Sequence, residues 1–115
     1  MKQQPRGWFD RWFLILAVIG LALDSATAAA PKHLLVVSAT RGFRHSSIPV
    51  AENILATLGE QTGQFTVDYV RGGPDGKGEQ DFEKMTPEAL KNYDGVVFVS
   101  TTGDLPIPDK QAFLD

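Results

Sequence analysis

Two short polar stretches hold most of the residues in this sequence that could do chemistry on a small molecule. The first is SATRGFRHSSIP at residues 38–49, and the second is STTGDL at residues 100–105. An imidazole and a carboxylate can exchange protons with a substrate, so we expect His45 and Asp104 to be catalytic. Guanidinium, aromatic and hydroxyl groups can hold a carboxylate, a phosphate or a sugar. We therefore expect the ligand-binding residues to be Arg41, Phe43, Arg44, Ser46, Thr101, Thr102 and Gly103.

Each of these residues also has a structural alternative. The two arginines could form ion pairs with Asp104 or Glu52, and the phenylalanine could fill the loop with apolar surface. Ser46 or Ser47 could cap a helix, His45 could bond the backbone there, and the glycines suit tight turns. The carboxylate at position 104 could orient the histidine or cap a turn. These alternatives stay open on the sequence alone.

The first thirty residues have the features of an export signal. Basic residues precede an uncharged run of 12 residues at positions 12–23, and alanine-rich sequence follows. A basic region, an apolar region of about 7 to 15 residues and an A-x-A-like site make up a secretory signal peptide. The run is shorter than the about 18 residues that a membrane anchor needs. We predict a signal peptide at 1–30, cleaved after Ala28 or Ala30, and an exported protein, periplasmic or secreted, that is free of the membrane after cleavage.

The remaining segment, residues 31–115, is acidic and lacks cysteine. Its eight Lys and Arg residues face twelve Asp and Glu residues, a balance that argues against nucleic acid as a partner. Without cysteine it can supply neither a disulfide nor a thiol nucleophile. A single histidine near the polar stretches supports a metal weakly, since metal sites usually need about three or four ligands, and we expect none. The sequence identifies no cofactor and no oligomeric state.

Apolar periodicity predicts strands that alternate with helices. Short apolar runs predict strands at 33–39, 65–70 and 95–100, and a stripe of Ala51, Ile54, Leu55 and Leu58 predicts a helix ended by Gly59 or Gly63. The segment RGGPDGKGEQ at 71–80 is glycine-rich and predicts a flexible surface loop. Two further helices are expected, one beginning after Thr86 and one within 109–115.

This order of elements predicts an α/β fold with a parallel sheet and right-handed crossovers. In an open parallel sheet, ligands bind outside the carboxyl ends of the strands, where the strand order reverses. If the strand order is 2-1-3, the two polar stretches lie side by side and form one crevice. Because three strands leave open edges, we expect residues 31–115 to be the N-terminal part of a longer domain.

TRGFRHSSIPVAENIL at 40–55 and YDGVVFVSTTGDLPIPDKQAFLD at 93–115 together resemble the ThuA-like, or trehalose-utilisation, family, whose fold is similar to that of class I glutamine amidotransferases. The resemblance covers residues 33–115. It implies a flavodoxin-like three-layer sandwich and a role in saccharide utilisation. The histidine-containing segment that such proteins carry further along would follow position 115. Two classes of function stay open: a sugar-processing enzyme, and a non-catalytic module that binds a sugar or an anionic ligand.

Overall fold

Strands alternate with helical segments from residue 28 to residue 115, the part of the chain that the computed structural model describes. The predicted signal peptide lies outside these residues, apart from positions 28–30. The strands are β1 (Lys32–Val37), β2 (Phe65–Val70) and β3 (Gly95–Phe98). The helical segments are α1 (Ser47–Thr62), a 3-10 helix (Glu79–Met85), α2 (Pro87–Leu90) and α3 (Lys110–Leu114).

The three strands form one parallel sheet in the order β2-β1-β3. This confirms the predicted α/β class and the predicted strand order. β1 and β3 each end two residues earlier than expected, at Val37 and Phe98, while β2 matches its prediction. The backbone of β1 nevertheless stays bonded to β2 beyond its end, since Ser38 N donates to Val70 O at 3.0 Å.

One face of the sheet carries the main apolar core. Because side chains alternate along a strand, Leu35, Val37 and Ala39 lie on the same face, where they pack with buried Val70, Phe82, Met85 and Leu105. The 3-10 helix was not predicted. It places Phe82 and Met85 three residues apart, and at 3.0 residues per turn both side chains lie on one side of such a helix.

Helix α1 covers the opposite face, and only part of its predicted apolar stripe is covered, since Ala51 and Leu55 are half-buried. Ile48 and Gly59 are its buried residues, whereas Ile54 and Leu58, which we expected in the apolar stripe, are exposed. The reason is a close approach to β2: a Cβ on Gly59 would lie 2.6 Å from the carbonyl oxygen of Phe65. The helix therefore approaches β2 closely at Gly59, and Ile48 is the large apolar residue that it buries.

The helix ends follow local capping chemistry. Gly63 ends α1 in the left-handed region with φ of 63°, and its N–H donates to Gly59 O at 2.9 Å, as the sequence predicts. Thr86 Oγ1 accepts from Ala89 N at 3.2 Å and caps α2. Ser46 occupies the N-cap position of α1 but makes no side-chain capping bond. Within residues 28–115 no helix is both long and apolar enough to cross a membrane.

Candidate functional site

The loops that follow β1 and β3 are joined by backbone contacts. Thr40 and Thr102 form an isolated parallel bridge beyond the strand ends, and Arg41 N donates to Thr102 O at 2.8 Å. The Thr102 hydroxyl accepts from Gly42 N at 3.3 Å and donates to Phe43 O at 3.5 Å. The two polar stretches therefore adjoin at the carboxyl end of the sheet, as the strand order predicts.

An aromatic pair stands exposed on the first of these loops. The Phe43 side chain is 73% exposed, so it does not fill the loop as its apolar alternative would require. The exposed His45 ring meets it edge-on, with ring centroids 5.0 Å apart and planes at 83°. Phe43 therefore presents exposed aromatic surface beside an imidazole.

The structure does not bring the two residues expected to be catalytic into contact. The Asp104 side chain is 89% exposed and forms an ion pair with Lys110 at the start of α3. Among residues 28–115, no hydrogen bond joins His45 to Asp104. Asp104 therefore does not orient the imidazole of His45.

The two arginines of the first loop have different partners from those that the sequence suggests. Arg41 forms a two-pronged ion pair with Glu79 of the 3-10 helix, with Nη2 to Oε2 at 2.7 Å. Hydrogen bonding within this pair raises the pKa of Arg41 and lowers the pKa of Glu79. Arg44 instead donates from Nη1 to the carbonyl oxygen of Ser38 at 2.8 Å. Arg41 therefore links the first loop to the 3-10 helix, whereas Arg44 is held by one hydrogen bond.

The remaining expected ligand-binding residues lie at the same edge with varied exposure. Ser46 and Gly103 are exposed, and Thr101 is half-buried. Gly103 has φ of 77°, and a Cβ there would lie 2.6 Å from Arg41 Cβ, so this turn requires glycine. The Thr40 hydroxyl between the loops is buried and has no hydrogen-bond partner in the described chain. No cluster of three or more potential metal ligands occurs within residues 28–115.

A cleft that the sequence did not suggest lies on the other side of the same loop. It has a volume of about 360 Å³ and lies at the carboxyl ends of β1 and β2. Its lining consists of basic side chains and a glycine-rich turn: Arg44, Arg71, Gly72, Gly73, Pro74, Asp75, Lys77 and Gly78. Two cations among four glycines, directly after a strand, were the sequence signal for it.

The glycine-rich segment forms a turn at the surface of the protein. Gly73 N donates to Lys77 O at 3.1 Å, which closes the turn. Its two ends cross closely, because a Cβ on Gly78 would lie 1.7 Å from the carbonyl oxygen of Arg71. Gly78 also has φ of 79°, a value that side chains disfavour. Only glycine fits this crossing.

Arg71 is fixed at the rim of the cleft by two contacts. Its Nε donates to Glu52 Oε2 at 2.8 Å, and its guanidinium carbon lies 3.8 Å from the centre of the Tyr69 ring. Glu52 has a side chain only 12% exposed and also accepts from the Ser38 hydroxyl. Burial raises the pKa of Tyr69. The arginine head is therefore held in place by α1 and β2.

The fold and the two loops define an α/β protein with polar residues gathered where its parallel strands end. Comparison of the chain with protein-family models, curated proteins and solved structures finds no match. A function must therefore be inferred from the fold and the geometry of residues 28–115.

Proposed function

We propose that this chain is a ThuA-like domain that binds a saccharide in the crevice between the loops after β1 and β3. The observation that carries the proposal is Phe43, an aromatic side chain 73% exposed beside hydroxyl and imidazole groups. A sugar ring has an apolar C–H face and a rim of hydroxyls. An exposed aromatic side chain can pack against the C–H face, and nearby polar groups can form hydrogen bonds with the hydroxyls.

The polar partners for such a sugar come from both loops. His45 offers ring nitrogens that make no hydrogen bond to another described residue, and Ser46 offers an exposed hydroxyl. Thr102 and Thr101 extend the rim on the second loop. Gly103 allows this turn to lie close against Arg41.

The overall class that we propose is a flavodoxin-like three-layer sandwich. It is supported by the order β2-β1-β3, by α1 on one face and by the apolar core on the other. In sheets of this class the switch in strand order lies beside the first strand, which is where the crevice lies.

Binding without catalysis is the function that the geometry supports better. Asp104 is engaged by Lys110 and makes no bond to His45 among the described residues, so this pair supplies no oriented acid and base. Processing of the sugar is the second candidate, favoured by the exposed imidazole of His45, which could transfer a proton to or from a bound hydroxyl.

We also propose that the protein is exported to the periplasm or secreted, on the signal-like sequence at 1–30. N-terminal sequencing of the mature protein should begin at Ala29 or Pro31. Recovery of a soluble form that retains residues 12–23 would contradict export.

The saccharide proposal is tested by calorimetric titration of the full chain with trehalose and with glucose. Phe43→Ala should weaken binding about three- to tenfold, the range expected for loss of an aromatic contact, without changing the thermal unfolding midpoint. Leu58→Ala, which truncates another exposed apolar side chain on α1, is the matched control and should bind as the wild type does. Absence of saturable binding to either sugar, or equal affinity in Phe43→Ala, would contradict the proposal.

A further inference from the structure

We propose that the cleft between the Arg44 loop and the glycine-rich turn binds the oxyanion of a small ligand, a phosphate or a carboxylate group. The cleft lies on the β2 side of β1, whereas the proposed saccharide crevice lies on the β3 side. The inference therefore stands independently of Phe43 and of sugar binding.

Charge distinguishes this cleft from the rest of the protein. The whole chain has a formal net charge of −3. The cleft is lined by Arg44, Arg71 and Lys77, against the single carboxylate of Asp75. Glu52 pairs with Arg71 and Asp75 pairs with Lys77, so Arg44 is the cation of this lining that has no carboxylate partner among the described residues. A local excess of positive charge within an acidic protein focuses an attractive potential for anions at that place.

The two arginines keep donors available for an anion. Arg71 uses Nε for Glu52 and the face of its guanidinium for Tyr69, which leaves the N–H groups of Nη1 and Nη2 outside those contacts. Arg44 uses Nη1 for the Ser38 carbonyl, and a guanidinium carries five N–H donors. Because both heads are already held, a ligand pays little ordering entropy when it binds them.

Lys77 is the residue that can move to an anion. It is 88% exposed and its Nζ lies 3.0 Å from Asp75 Oδ2, whose side chain is also exposed. Hydrogen bonds from Lys77 lower the pKa of Asp75. Exposed ion pairs of this kind are weak, so an anion in the cleft can compete for the ammonium group.

The size and backbone of the cleft suit a small anionic group. Its volume of about 360 Å³ falls in the range of about 300 to 1,000 Å³ typical of small-molecule sites. Gly72, Gly73 and Gly78 form part of the wall, and glycine allows a ligand to approach the backbone closely. The turn is held by its own hydrogen bonds, so the wall is formed before a ligand arrives.

The test is a two-dimensional amide NMR titration of the full chain with inorganic phosphate and, separately, with acetate, at constant ionic strength. We expect saturable shifts of the amides of Gly72, Gly73 and Gly78 with at least one probe. Saturation by phosphate alone assigns a phosphate group, and saturation by acetate assigns a carboxylate. Lys77→Gln should raise the dissociation constant about tenfold, as loss of a hydrogen bond between charged groups predicts.

Lys91→Gln is the matched control, because Lys91 is also an exposed lysine paired with a nearby carboxylate, Glu88. It should leave the dissociation constant unchanged. Arg44→Gln, on the opposite wall of the cleft, should also raise the dissociation constant about tenfold. Shifts that do not saturate with either probe, or equal weakening in Lys77→Gln and Lys91→Gln, would overturn the proposal. Phe43→Ala should bind the anion normally, which separates this result from failure of the saccharide site.

Discussion

The two ends of the sheet differ in which side chains they leave exposed. At the amino end, polar side chains satisfy one another: Lys32 Nζ lies 3.0 Å from Asp94 Oδ1, and Tyr93 donates to Asp68 at 2.9 Å. At the carboxyl end, ion pairs such as Arg41–Glu79 and Arg71–Glu52 also occur, but the side chains of Phe43 and His45 are exposed there, and three cations line a cleft. The amino end is built for stability, and the carboxyl end keeps side chains available.

The two histidines of the described chain show this difference within one residue type. His33 Nδ1 lies 3.2 Å from Asn92 O, its Nε2 lies 3.6 Å from Asp68 Oδ2, and its ring lies 4.7 Å from that of Tyr93. His45 is exposed and has an aromatic contact with Phe43. A histidine with both nitrogens engaged is a structural residue, whereas the second can meet a ligand.

The largest expected loss of stability comes from adding a side chain at Gly78, where the two ends of the glycine-rich turn lie close together. Gly78→Ala should cost about 3 kcal/mol or more in urea unfolding, in the range of severe backbone strain, because its Cβ would lie 1.7 Å from Arg71 O. Gly76→Ala is the control: it has φ of 77° but no atom within 4 Å of the added Cβ, so only the left-handed backbone costs about 1 to 2 kcal/mol. Equal losses of stability in the two variants would contradict the close approach of Gly78 to Arg71.

A smaller effect is expected at the amino end. Tyr93→Phe should cost about 1 kcal/mol, because it removes one hydrogen bond, and should leave binding of trehalose and phosphate unchanged. Altered binding in this variant would break the contrast between the two ends.

The same tyrosine has a distinct alkaline titration. Burial, together with the hydrogen bond to Asp68, raises the pKa of Tyr93 to about 12. The folded state therefore favours the neutral phenol over the phenolate. The stability of the fold that depends on this preference is fully present below the unfolded tyrosine pKa of about 10. It is lost as the pH rises towards 12. Ultraviolet absorbance of tyrosinate should show the late midpoint in wild type and lose it in Tyr93→Phe. A wild-type titration completed near pH 10 would contradict the described contact.

Local patterns were sufficient to predict much of the fold. The run at 65–70 matches β2 because alternating β-branched and aromatic residues are bounded by glycine and polar residues. Thr86 followed by Pro87 predicts the start of α2 because both act within one helical turn. The order of strands and helices predicts the parallel sheet because a parallel connection needs a crossover.

Contacts between distant residues could not be predicted in this way. The partner of Arg41 is Glu79, 38 positions away in the sequence, and only the folded chain brings the 3-10 helix to that loop. Asp104 is close to Lys110 in sequence, but nothing in their spacing ranks this pair above the proposed partner His45. The basic cleft was missed because Arg44 and the glycine-rich turn are distant in the sequence and come together only in the folded sheet.

We propose that ligands bind at the carboxyl end of the sheet and not at its amino end. The most direct measurement is amide NMR mapping of the full chain during a trehalose titration. We predict saturable shifts in residues 38–46 and 99–104, with the amides of Lys32, His33 and Asp94 unmoved. Shifts centred on the amino-end residues, or no saturable shift in either loop, would contradict the claim.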